Sequence, residues 1–125
     1  MKRKKKSELA ILTDRADALV QKVYVPKMPD CLISDENTEV IHHFIQKTHS
    51  FYLRYCPMNF IPLTHKLHAR HHLSGDPKVH AQILKVKGFD WNDELESHRN
   101  DWKDLTKKER IEKLQEIIAG LEEMK

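Results

Sequence analysis

Residues 34–57, SDENTEVIHHFIQKTHSFYLRYCP, decide how this chain of 125 residues folds. Val40, Ile41, Phe44, Ile45, Thr48, Phe51, Tyr52 and Tyr55 fall within about 140° of one another at about 100° per residue, a broad apolar stripe. A cluster of capping residues precedes the stripe and Pro57 ends it. The spacing predicts a single helix over about 37–56, with His42 and His49 on its far side. Nowhere does the chain alternate convincingly at period two.

Working outward, the same periodicity recurs on both sides. Leu9, Leu12, Ala16, Leu19 and Val23 predict a helix over 7–23, with Ser7 as N-cap and the prolines of YVPKMPD (24–30) as its end. A short helix is expected from Pro62 in its first turn to about Leu73, with Gly75 beyond it. Asp76 as N-cap and Pro77 at the first position open a fourth helix, facing inward through Val79, Ile83 and Val86 and closed by Gly88. Asp90 caps a fifth around 91–103, anchored by Leu95 and Trp102. Thr106 and Glu109 form a T-x-x-E capping box before Ile111, Leu114, Ile118 and Leu121. The expected fold class is all-α: a small single-domain bundle of five or six short helices over 7–125, preceded by a flexible basic tail, 1–6.

Composition narrows the class. Three glycines and five prolines argue against a loop-rich sandwich, and 39% hydrophobic against 33% charged residues implies a modest core under a charged surface. No apolar run approaches a membrane span, and residues 1–12 lack the apolar region of a signal peptide. Cys31 and Cys56 are too few for a disulfide framework and fit reduced, inert thiols. The expectation is a cytoplasmic protein, or a nuclear one if the source is a eukaryote, with no membrane partner.

The net charge of +3 conceals a segregation. Residues 1–6 carry +5, residues 7–39 carry −4, residues 40–87 carry +6 and residues 88–125 carry −4. The +6 block also holds eight of the nine histidines, five of them in HKLHARHHLSGDPKVH, residues 65–80. On a helix starting near Pro62, His65, His68 and His72 share the face opposite Leu63 and Leu67, so they are expected to be displayed. Three readings compete for that display.

The first is polyanion binding by a non-enzymatic protein, with nucleic acid or a nucleoprotein as the natural partner. Its candidate contacts are Lys2, Arg3, Lys4, Lys5 and Lys6 in the tail, then His43, Lys47 and Arg54 on the helix over 37–56. His65, Lys66, His68, Arg70, His72, Lys78 and Lys85 complete the set. The second is a regulatory module docking an acidic protein partner, including a homodimer through its own acidic last helix. The third is metal binding by His65, His68 and His72, since imidazoles at i, i+4 grip one ion, with Cys56 or Cys31 as candidates to complete the set. Against it, Lys66 and Arg70 oppose a cation, H-E-x-x-H is absent, and Glu39-x-x-His42 occurs only once. The favoured expectation is therefore nucleic-acid binding, without cofactor or resident metal.

Two further patterns carry less. HARHHLSGDPKVHAQILK resembles a helix-turn-helix, but Ala69 precedes Gly75 by six residues instead of four, so two packed helices explain it as well. Trp91 and Trp102 lie among acids and suit a core better than base stacking. No Ser/His/Asp or Cys/His arrangement orients a histidine for acid–base work, so no catalytic residue is assigned.

Overall fold

The computed structural model describes residues 5–125. The elements run α1 (Glu8–Lys27), β1 (Val40–His43), α2 (Phe51–Arg54), β2 (Phe60–Leu63), α3 (His65–Leu73), α4 (Pro77–Lys87), α5 (Phe89–His98) and α6 (Lys107–Glu123), with a 3-10 turn at Pro57–Asn59 before β2. The protein is mostly helical, as the periodicity predicts, with one small two-stranded sheet. The chain clusters into two compact units: residues up to Val23 with Asp104–Lys125, and Tyr24–Lys103.

In the first unit the expected helices form. Ser7 Oγ accepts from Ala10 N at 3.2 Å, and the Thr106–Glu109 capping box is complete in both directions, at 3.2 and 3.1 Å. Ala16, Leu19, Val20 and Val23 are buried on α1, and Leu114, Ile118 and Leu121 on α6. Arg15 and Glu122 join the two helices at 3.0 Å. The first proline of YVPKMPD does not end α1, contrary to expectation. Pro26 lies in its last turn, where only one ladder bond is lost, and Met28 N still donates to Tyr24 O at 2.9 Å.

The central stretch corrects the sequence reading most. Instead of one helix over 37–56, Val40–His43 is a strand, antiparallel to Phe60–Leu63 in the register Val40↔Leu63, Ile41↔Pro62, His42↔Ile61, His43↔Phe60. The second strand is buried throughout and the first nearly so. A strand buried on both faces shows no alternation, so its apolar run imitates a helical stripe. Pro62 belongs to this strand and not to the first turn of α3. It lacks a donor, but its carbonyl accepts from Leu32 N at 2.9 Å. After the strand, a turn at Gln46–His49 breaks the run, and Ser50 caps the four-residue α2 by accepting from Leu53 N at 3.1 Å.

Asn59 holds this arrangement from inside. It is fully buried; its Oδ1 accepts from Ile45 N at 2.8 Å, and its Nδ2 donates to Ile45 O at 2.9 Å and Leu53 O at 3.1 Å. Two apolar clusters flank the sheet. Cys31, Ile61, Leu63, Val79 and Ile83 form one, and Ile45, Leu53 and Leu95 the other. Phe44 and Trp91 pack against both, so Trp91 is the core anchor the sequence suggests. Asp76 caps α4 through Lys78 N at 2.9 Å with Pro77 at its first turn, and Gly88 closes that helix at φ +92°. α5 covers Phe89–His98, shorter than the expected 91–103 and without Trp102; Asp90 lies inside its first turn and does not cap it, the N-cap being Gly88.

α3 differs from its neighbours in having no buried residue. Thr64 caps it, accepting from Leu67 N at 3.2 Å, and Glu39 Oε1 accepts from His65 N at 3.2 Å. It follows directly from β2 and lies against β1 and α4. Little apolar burial therefore fixes this helix: Leu67 packs on the cluster around Ile61 and Leu63, and the rest of what faces β1 is imidazole.

Candidate metal centre

His42 sits on β1 with only 2% of its surface exposed, not displayed as the helical reading has it. Ile61 opposite it belongs to a fully buried strand, and α3 lies over the ring. Its ring centroid is 5.2 Å from that of His68, 5.0 Å from His71 and 5.3 Å from His72. Those three residues occupy i, i+3 and i+4 of one helix and so share a face. The buried Nδ1 of His42 has no hydrogen-bond partner.

One ring nitrogen each of His42, His68 and His72 lies within 4.8 Å of the other two. Three points so spaced fit a circle of about 2.8 Å radius, against the about 2.0–2.1 Å of a zinc–imidazole bond. Small rotamer adjustments therefore bring all three onto one ion. His71 stands beside this trio, 4.9 Å from His72 between ring centroids.

Burial keeps these imidazoles uncharged. It pushes His42 down to about 2, with His68, His71, His72 and His43 adding repulsion. Burial likewise lowers His68 to about 4, with His72, His71, His65 and Lys47 contributing, and it lowers His71. A neutral imidazole offers a lone pair, the form a metal requires. At neutral pH His42 and His68 have no proton to shed before binding one.

The spacing argument names two of the three residues that cluster here, and gives His65 where the structure has His42. His65 and His72 are separated by two turns, about 10 Å along the axis, too far for one ion. His65 is exposed at the start of α3 and its backbone N–H bonds Glu39. His42 replaces it, delivered by strand pairing from more than twenty residues away. The β-branched Val40–Ile41 pair just before it is the sequence signal that favours a strand there.

Comparison with protein-family models, curated proteins and solved structures finds no match. The reading therefore rests on the geometry of this site and its surroundings.

The sequence-selected polyanion contacts fall in different settings. His43 is buried; its Nε2 donates to Arg54 O at 2.9 Å and its ring packs edge-on to Phe60 at 5.3 Å, so it offers nothing to a phosphate. With the helix over 37–56 gone, His43, Lys47 and Arg54 do not form a helical strip. His68 and His72 turn toward His42, and Arg70 is paired with Asp76 at 2.6 Å. Lys6 is paired with Asp14 at 2.7 Å; Lys5 is exposed; Lys2, Arg3 and Lys4 lie outside the described residues. Lys47, Lys66, Lys78 and Lys85 are exposed. No helix among the described residues is long and apolar enough to cross a membrane.

Proposed function

We propose that this protein binds one transition-metal ion through His42, His68 and His72, and that the ion fastens α3 to the sheet. The carrying observation is the convergence of three imidazoles, within 4.8 Å nitrogen to nitrogen, on a buried ring whose Nδ1 is unpartnered. A buried polar atom without a partner is costly, about 1–3 kcal/mol, and coordination of the ring relieves the site of its lack of polar partners. An all-imidazole donor set without thiolate or carboxylate suits zinc, copper or nickel and disfavours calcium and magnesium. Three protein ligands leave a tetrahedral ion one open position.

The ligands also tell what the ion does mechanically. Two come from α3, which has no fully buried residue and packs on the core through Leu67, and one from β1, which is paired with β2. Binding therefore adds its free energy to the docking of α3 alone. The test is calorimetric titration of the untagged, chelator-treated protein with zinc, together with hydrogen exchange on both forms. One ion per chain and slowed exchange confined to α3 and β1 are expected. A His42→Leu variant that binds zinc as tightly as the parent refutes the proposal, because solvent-exposed histidines would then account for the binding.

A polyanion surface remains a second reading, supported by one observation. Lys66 on α3 and Lys78 and Lys85 on α4 are exposed, and among the described residues none has a carboxylate within 4.0 Å. Nucleic acid is the partner that such unpaired charge favours, and each phosphate contact adds about 0.9 to the slope of log affinity against log salt on duplex DNA. A gel shift insensitive to salt, or unchanged by Lys66→Ala with Lys78→Ala, refutes it; an acidic protein partner would then be the occupant.

A further inference from the structure

An open cleft of about 330 Å³ lies beside the histidine cluster, and His71 lines it. The same His71 ring packs on His42 and His72, so one imidazole separates the cleft from the proposed ion. Gln46, His49, His80, Asn92 and Arg99 supply the other donor-bearing walls. The side chains of Gln46, His49, His80 and Asn92 hydrogen-bond to nothing among the described residues. His80 is held in place without a hydrogen bond: it stacks on Phe44 at 4.6 Å and 17°, and lies parallel to His71 at 6.3 Å and 12°.

The acid–base balance of the wall points one way. Its single carboxylate, Glu96, is already engaged: Arg99 Nε and Nη2 donate to it at 2.8 and 2.9 Å. Arg99 Nη1 is left over. The cleft thus presents several unspent N–H donors and no free acceptor charge, the inventory of an anion site. The neighbouring centre needs an anion as well. Three neutral imidazoles leave a divalent ion with its full charge, no carboxylate joins the trio, and Lys47 adds positive charge near His68.

We propose that this cleft binds a small oxyanion, a carboxylate or phosphate group, as the counter-anion of the metal held by His42, His68 and His72. The inference rests on the metal reading above. Arg99 and His80 hold the oxyanion, Asn92 and Gln46 supply further donors, and His71 is the side chain shared between the anion and the ion. The coupling is reciprocal: whatever factor zinc contributes to oxyanion affinity, the oxyanion returns to zinc affinity.

The experiment titrates the full chain, zinc-loaded and zinc-free, with inorganic phosphate and separately with acetate, by calorimetry and by amide chemical shifts at constant ionic strength. Phosphate or acetate should bind the zinc-loaded form at least about tenfold more tightly, with shifts at Asn92, Arg99 and His80. The stronger of the two probes identifies the ligand class. Arg99→Met and His80→Ala should each weaken oxyanion binding at least about fivefold while leaving zinc affinity in oxyanion-free buffer within about twofold. Zinc bound normally with neither oxyanion favoured by it, or with chloride equally effective, overturns the cleft assignment and leaves the metal reading intact. Absence of zinc binding overturns the metal reading, and the counter-anion role with it.

Discussion

Mild acid should destabilise the metal-free protein, and His42 should be a main reason. Its pKa is about 2 in the folded chain, through burial first and neighbouring imidazoles second, against about 6.5 when unfolded. Below pH 6.5 the unfolded chain takes a proton at this position that the folded chain refuses. Stability is therefore intact above pH 6.5 and falls as pH drops from there toward 2. The slope is about 1.36 kcal/mol per pH unit, so His42 removes about 2 kcal/mol by pH 5. His68, lowered to about 4 but half-exposed, acts in the same direction with a smaller effect. Against a total stability of about 5–15 kcal/mol, that loss is visible. Urea unfolding in chelator at pH 7.5, 6.5, 5.5 and 5.0, followed by tryptophan fluorescence, measures it; Trp91 and Trp102 both report on the Tyr24–Lys103 unit. His42→Leu should flatten the slope by about 1 kcal/mol per unit. At pH 7.5 it should stay within about 1.5 kcal/mol of the parent, because an apolar side chain of similar volume replaces a ring with an unpartnered Nδ1. Equal stability at pH 7.5 and 5.0, or an unchanged slope in the variant, refutes the reasoning.

Zinc at about 100 times its dissociation constant should raise the stability of the metal-binding unit by about 2.7 kcal/mol, and His72→Ala should abolish most of that gain in a thermal melt. Asn59→Ala should cost about 3–5 kcal/mol in urea unfolding, since Ile45 N, Ile45 O and Leu53 O each lose a buried partner. A loss under about 1 kcal/mol would mean that water replaces the amide. Thr106→Ala should cost about 1 kcal/mol by removing the N-cap of α6, without altering zinc binding.

Three of the caps that the sequence displays are caps in the structure, because each is a side chain bonding a backbone N–H two or three residues away; Asp90 is not one, since α5 starts before it at Phe89. Ser7, Asp76–Pro77 and Thr106–Glu109 need no information beyond their own turn. The histidine trio divides along the same line. His68 and His72 are legible as a pair because i, i+4 spacing is a property of one helix. His42 is not, because its place depends on Val40–His43 pairing with Phe60–Leu63, a register spanning some twenty residues of chain. The helical stripe over 37–56 misled for a physical reason. Val40 and Ile41 are apolar because both strands are buried, with α3 and the cluster of Ile61 and Leu63 against one face and Tyr24 packed on Phe60 at the other, while Phe44 and Ile45 just past the strand pack into the apolar clusters. Once the strand is recognised, the histidines change meaning as a set. Imidazoles displayed on separate helices would be titrating surface charge for phosphates; His42 and His68, gathered at a buried strand, are instead neutral lone-pair donors. Acid should therefore weaken the fold around these two residues before it makes them cationic, so a binding mode cannot draw on their protonation without first loosening α3 from β1.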